Sequence, residues 1–464
     1  MSPQKSSSVQ VASPAFIFTR TGNPFVDSGL AALCILANKK EPSEITLDDL
    51  KAQIDYITRL YSGKGWRDAF HGQLFPNAEL VNPASKDGPG QYRAALAQYL
   101  EQVTPGPGRG NCISCGQRDG IPVEKTRVPL LGSGKLVNFF PAGSQGERFC
   151  PNCILAVQFM PLSIEKVGKP LMLHTMKWKI QLAYARKIVG EARRREAAKQ
   201  QGLVDTGQKK PAGVNAVYAA IEDILNDERV AVEDISNLAA PLRFYHFSNY
   251  NQGPEMDMYD IPSAVFEFLT EVHRSRSKDE WRRVVARGFR KKKKRENEEG
   301  LFKTTPNMVY QRLTKGESIL YYFLAGEFKV IGDWNLVSLY LRKVRRMDEK
   351  QIETIRRVAD RYLEFSKETG SIKRITQLHW AKSYRDFRSA LLRVQEELTR
   401  RKGESLLTFD EYVLDLAPEG GASWQETRDL LLFRIYEKGA SWLSGKKSEL
   451  EQLASNEAEL EEQT

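Results

Sequence analysis

The sequence predicts an α+β fold: a mixed N-terminal domain carrying a four-cysteine insert, followed by a mainly α C-terminal helical bundle. Three observations predict it. Two Cys-x-x-Cys pairs lie between residues 112 and 153, set off by the glycine- and proline-rich stretch 104–110. Beyond residue 301, apolar side chains recur every three or four positions, the period of an amphipathic helix. Charge also changes sign along the chain. Residues 347–464 hold 19 basic and 23 acidic side chains, whereas residues 1–346 hold 50 and 36. The expected division is therefore 1–103, an α+β region; 104–160, the insert; 161–346, a continuation of the first domain with basic stretches; and 347–464, the bundle.

The elements follow in order. Residues 1–15 read as a flexible leader, and Gly29 to Ala37 as an apolar segment. Thr46-Leu47-Asp48-Asp49 reads as a helix cap. Leu47, Leu50, Ile54, Ile57 and Leu60 then fall on one face of the helix that follows. Residues 63–90 and 200–213 read as loop and linker, because glycine, proline and polar residues concentrate there. Two further stripes are Ile352, Ile355, Val358, Tyr362 and Phe365, and Phe387, Leu391, Val394 and Leu398. Ser423-Trp424-Gln425-Glu426 has the form of a capping box before a third helix. Residues 448–464 are acidic and read as a frayed end.

The 464 residues allow two to four domains. The longest clean apolar run, Leu30 to Ala37, is far short of the roughly 20 residues a membrane span needs. Met1 to Gln10 lack the apolar core of a secretory signal. The expectation is a cytoplasmic protein with no membrane partner, whose cysteines stay reduced.

Cys112-Ile113-Ser114-Cys115 and Cys150-Pro151-Asn152-Cys153 each place two thiols on one tight turn. Two such knuckles complete a tetrahedral four-thiolate zinc site, so Cys112, Cys115, Cys150 and Cys153 are the expected ligands and zinc the expected cofactor. Gly116 follows the first pair, where a knuckle often needs positive φ. The intervening 34 residues exceed a zinc-ribbon gap of about 15–20. Gly132-Ser133-Gly134 suits the tip of a β excursion that absorbs them. Redox chemistry at the second pair and an iron–sulfur cluster are the competing readings. Cys34, inside an apolar run, reads as core.

Catalytic signatures are missing. A four-cysteine site has no open coordination position. The zinc deaminase pattern needs His-x-Glu and Pro-Cys-x-x-Cys, but Gly72-Gln73 follows His71 and Phe149 precedes Cys150. No histidine lies between His71 and His174. Gly132-Ser133-Gly134-Lys135 lacks the remaining residues of a phosphate loop, and neither a nucleophile elbow nor a dinucleotide fingerprint occurs. The sequence argues for binding and predicts no enzyme.

The charge points to an acidic ligand. The net charge is +10, concentrated at Arg186 to Lys199 and at Arg274 to Arg295. The second stretch includes Arg274, Arg276, Arg282, Arg283 and Arg290-Lys291-Lys292-Lys293-Lys294, and Lys135 is a further expected nucleic-acid contact. Trp281, Val284, Val285 and Phe289 are interleaved at helical spacing, so one face could be buried and the other offered to phosphates. A solvated tail is the alternative. Phe244 to Pro254 mixes aromatics with Asn249, Asn251 and Gln252. It reads either as an ordinary tyrosine-rich loop or as one whose amides reach base edges.

Three anchors together carry a resemblance: Gly22-Asn23-Pro24-Phe25-Val26-Asp27-Ser28-Gly29, the two cysteine pairs, and Asn249-Tyr250-Asn251-Gln252-Gly253-Pro254. The sequence resembles the CRISPR-associated CXXC–CXXC proteins, large subunits of type I-B Cascade. That resemblance implies a noncatalytic subunit of an antiviral, RNA-guided surveillance complex. It would bind the 5′ end region of the CRISPR RNA and recognise the protospacer-adjacent motif in target double-stranded DNA. Guide pairing would read the remaining sequence. Implied partners are the Cascade backbone and small subunits, and either a helicase-nuclease or, in RNA-guided transposition, the transposition machinery. The resemblance also makes Met347 a candidate internal start for a separate small subunit of 118 residues. An ordinary internal methionine is the other reading. A zinc-dependent nuclease and a zinc-ribbon nucleic-acid accessory protein are the alternative functions.

Overall fold

The computed structural model describes residues 16–67, 71–106, 108–131, 137–138, 144–198, 213–233, 235–250, 253–289, 298–324, 329–417, 423–446 and 449. The expected leader 1–15, most of the linker 200–213 and all of 448–464 except residue 449 lie outside them. The fold is α+β, with a mainly helical C-terminal region. Two compact units divide it, Met1–Ile261 and Pro262–Thr464. Among the described residues no helix is long and apolar enough to cross a membrane.

The first unit is built around the Pro24–Leu36 helix. Asn23 starts it: its side-chain oxygen accepts from the N–H groups of Phe25 and Val26, and Pro24 supplies a helix-ready φ. Every residue from Val26 to Cys34 is buried, which is the expected location for Cys34. Burial pushes that thiol well above its ordinary pKa, with Glu41 and Glu44 adding to the effect. The helix packs on Pro151–Gln158 and on Trp178–Ala197. Gly29 permits the first contact: a Cβ there would lie 1.9 Å from the carbonyl oxygen of Ala156.

Beside these helices runs a four-stranded antiparallel sheet, in the order Ile164–Val167, Lys169–His174, Leu242–Ser248, Glu255–Ile261. Met172 stands opposite Tyr245, and Ser248 opposite Glu255. The last two strands therefore form a hairpin whose connection is 249–254. Thr46 and Asp49 form the expected capping box on Leu47–Ser62, and Leu50, Ile54 and Ile57 are buried. The 34 residues between the cysteine pairs do contain β structure. Ile121–Val123 pairs with Glu147–Phe149, and Val137–Asn138 with Ser144–Gln145. The expected tip at Gly132 to Gly134 lies outside the described residues.

The second unit is helical. Glu349–Glu368, Tyr384–Lys402 and Trp424–Ser444 are its long helices, and the first two bury the two expected stripes in full. The division between units falls at Ile261, and the expected boundary at 346/347 lies within the second unit. Packing explains this. Phe433 meets Phe323 and Trp334, and Trp334 donates its backbone N–H to Glu437 at 2.7 Å. The capping box at Ser423 does not form. Ser423 has φ −103° and ψ 15° and makes no side-chain cap, while Glu426 pairs with Arg345.

Candidate metal centre

Each knuckle has a local cause. Gly116 takes φ +62° and donates its N–H to the Cys112 carbonyl at 2.9 Å, closing the first turn as its type predicts. The second pair opens a helix: Cys150 is the N-cap of Pro151–Gln158, so Cys153 lies one turn further along. Backbone bonds then join the knuckles. Ile113 N–H donates to Arg148 O at 2.9 Å, and Cys150 N–H to Cys112 Sγ at 3.3 Å.

The four sulfur atoms lie within 4.8 Å of one another, and Cys115 Sγ is 3.7 Å from Cys150 Sγ. A tetrahedral ion with zinc–sulfur bonds of about 2.3 Å holds its sulfurs about 3.8 Å apart. Cys112, Cys150 and Cys153 are buried, and Cys115 is partly so. All five cysteines are free of disulfides. Contacts with Cys112, Cys150 and Cys153 hold the Cys115 thiol far below its ordinary pKa. Contacts with Cys112 and Cys115 push the Cys150 and Cys153 thiols far above theirs. Four thiols this close compete for protons, and one divalent cation removes the conflict. An iron–sulfur cube would hold its ligands on separate irons, farther apart than a single ion does.

Residues around the sulfurs bind the centre into the unit. Ser114 Oγ is 3.1 Å from Thr21 Oγ1. The Thr21 hydroxyl and N–H both donate to Asp27 Oδ1, and the Gly22 N–H donates to Asp27 Oδ2. Asn152, inside the second pair, donates to Ile17 O and Thr104 O at 2.9 and 3.1 Å. Arg118 donates to Thr104 O and Gly106 O. Sequence reasoning did not single out Ser114, Asn152 or Arg118. The available signal was a polar residue within each Cys-x-x-Cys.

The expected nucleic-acid residues are scattered. Lys135, Asn251, Gln252 and Arg290 to Lys294 lie outside the described residues. Asn249 is corrected: it is 1% exposed, and its amide is fully used inside the fold. It donates to Leu74 O at 2.7 Å and Lys125 O at 3.2 Å, and accepts from Leu130 N–H at 3.1 Å. A base edge cannot reach it. Arg274, Arg276, Arg282 and Arg283 are exposed. The helix Lys278–Ala286 buries Trp281 and Val284 and turns Arg282 and Arg283 outward, where they pair with Asp279 and Glu280. The basic stretch at Arg186 to Lys199 is partly spent internally: Arg186 pairs with Asp227, Lys187 with Glu165 and Asp223, and Arg193 donates to Leu36 O.

Residues 108–165 match the family described as CRISPR-associated protein (Cas_CXXC_CXXC). The matched segment contains all four clustered cysteines. No curated protein and no solved structure matches the chain.

Proposed function

We propose that this chain is the large, noncatalytic subunit of an RNA-guided type I-B CRISPR surveillance complex. The carrying observation is the coincidence of the four-thiolate cluster with the matched segment 108–165. In this reading zinc is the resident metal. The four thiolates hold it, and it supplies fixed geometry and folding energy, with no coordination position left for a substrate. The centre is tied to the Asn23 helix start through Ser114 and Thr21, so loss of metal loosens the opening motif of the first unit.

The proposed ligands are the 5′ region of the CRISPR RNA and the protospacer-adjacent motif in duplex DNA. The proposed partners are the backbone and small subunits and a helicase-nuclease or transposition machinery. The net charge of +10 supports a polyanionic ligand. The exposed Arg274, Arg276, Arg282 and Arg283 and the run Arg290 to Lys294 are proposed phosphate contacts, which position a ligand without reading its sequence. Asn251 and Gln252 stay proposed base readers. Met347 is a proposed internal start. It directly precedes Asp348, whose side chain caps the Glu349–Glu368 helix by accepting from Lys350 N–H, so a product beginning there retains the whole helix.

The test is purification of the tagged chain from its native operon, followed by sequencing of the bound RNA. Recovery of repeat-derived guide transcripts with backbone subunits supports the proposal. A chain that purifies without guide RNA, or that alone hydrolyses phosphodiesters, overturns it.

A further inference from the structure

The Tyr384–Lys402 helix of the second unit leaves one face unneutralised. It buries Phe387, Leu391, Val394 and Leu398. Away from that stripe Arg385, Arg388, Arg393 and Arg400 are exposed, and no guanidinium of the four makes an ion pair or hydrogen bond among the described residues. The neighbouring carboxylates are committed elsewhere: Glu397 to Arg374, Glu404 to Arg361, and Glu368 to Lys402 at 2.9 Å. Asp386 caps its own helix through Ser383. Glu396 is the one carboxylate left among these arginines, so positive charge prevails on the face. Leu392, spaced four residues from Arg388 and from Glu396, adds an apolar side chain that is 45% exposed.

A segment of this chain starts at one end of that face and carries the opposite charge. Glu449 is the last described residue, and its Oε1 accepts from Ser371 Oγ and Ile372 N–H, both at 3.1 Å. The same turn meets the last turns of the Tyr384–Lys402 helix, through Glu368 to Lys402 and Arg374 to Glu397. Residues 450–464 then hold five glutamates, Glu451, Glu457, Glu459, Glu461 and Glu462, with no lysine or arginine. Leu450, Leu453 and Leu460 supply apolar side chains among them. Arg400 to Arg385 covers about 22 Å of helix axis. Fifteen residues span about 22 Å as a helix and about 50 Å extended, so the segment reaches the whole face in either form.

We propose that residues 450–464 dock along the exposed face of the Tyr384–Lys402 helix, pairing their glutamates with Arg400, Arg393, Arg388 and Arg385 and covering Leu392 with a leucine. Single exposed pairs are weak. The segment leaves from an anchored residue, so docking is intramolecular and several weak pairs act together at high effective concentration. While it is docked, the four arginines are withheld from other polyanions. This contact goes beyond the surveillance-complex reading and stands or falls without it.

The test uses the full chain, stripped of nucleic acid, with a fluorophore attached after Thr464. Fluorescence anisotropy reports whether the segment is held. In about 0.1 M salt the parent should show high anisotropy, and about 1 M salt should abolish the excess as the screening length falls from about 10 Å to about 3 Å. Arg388→Glu with Arg393→Glu should abolish it at both salt concentrations, as should Glu457→Lys with Glu461→Lys. Combining all four substitutions should restore it at low salt, which misfolding would not do, and melting temperatures equal to the parent's check the fold directly. A parent whose anisotropy is already low at about 0.1 M salt overturns the proposal and leaves the face to an external polyanion. Arginine reversal that leaves the anisotropy unchanged, or a loss that the combined variant does not recover, overturns it as well.

Discussion

Ser114 Oγ and Thr21 Oγ1 lie 3.1 Å apart, joining the first cysteine knuckle to the loop that starts the central helix. Thr21 passes the connection to Asp27, one turn into that helix and buried. The four-cysteine cluster and the opening motif are therefore one mechanical element. Ser114→Ala should lower unfolding free energy by about 1 kcal/mol, the ordinary value of one hydrogen bond. Denaturant titration with metal content measured in parallel checks this, since the sulfurs are untouched and metal should be retained.

Gly29→Ala should be far more damaging than its size suggests. The added methyl would sit 1.9 Å from Ala156 O, so the Pro24–Leu36 and Pro151–Gln158 helices must separate. Overpacking typically costs about 1–3 kcal/mol, and a backbone clash belongs at or above the top of that range. Because Pro151–Gln158 carries Cys153, the same variant should bind metal less tightly, which competition with a chelator measures.

His71 makes the first unit sensitive to acid. It is buried among Tyr61, Phe75 and Tyr92, and neither ring nitrogen has a hydrogen-bond partner among the described residues. Burial, and then the Arg127 charge, lower its pKa to about 3, with Glu79 partly opposing. The unfolded chain binds this proton near pH 6.5 and the folded chain does not. Stability is thus intact above about pH 6.5 and declines as pH falls toward 3, by an amount on the order of 4 kcal/mol. His71→Phe keeps the aromatic packing and removes the proton. Its unfolding midpoint should match the parent at about pH 7.5 and exceed it at about pH 5, as followed by circular dichroism.

Charge reversal at Arg282 and Arg283 should weaken binding to every nucleic-acid sequence and flatten its salt dependence. The slope should change by about 0.9 for each duplex phosphate that is no longer neutralised. The pairs with Asp279 and Glu280 are exposed, so the loss of stability should stay within about 1 kcal/mol. Binding isotherms at several salt concentrations on matched and mismatched targets measure the first effect, and denaturant titration the second. An effect confined to one target sequence would give these arginines a base-reading role instead.

What could be read from the sequence was local. Thr46 and Asp49 cap a helix because both partners sit within one turn. Ile352 to Phe365 are buried because a single helix sets their spacing. The four cysteines converge because two-residue spacing builds each half of the site. What depended on distant partners could not be read. The sheet joins Met172 to Tyr245, across a helical segment and a linker. Asn249 reads as a surface amide, since nothing nearby in sequence shows that Leu74, Lys125 and Leu130 surround it. Arg186 and Lys187 read as surface charge, but their carboxylate partners arrive from Glu165, Asp223 and Asp227. Ser423 has the letters of a cap without the extended backbone that a cap requires.

Elemental analysis of the purified full-length chain, beside Cys153→Ser, bears most directly on the proposal that zinc braces the scaffold. About one zinc per chain is expected in the parent, and in the variant loss of that metal together with a lower melting temperature. A parent that folds fully without metal, or a variant that keeps both its zinc and its stability, would contradict a structural role for the four thiolates.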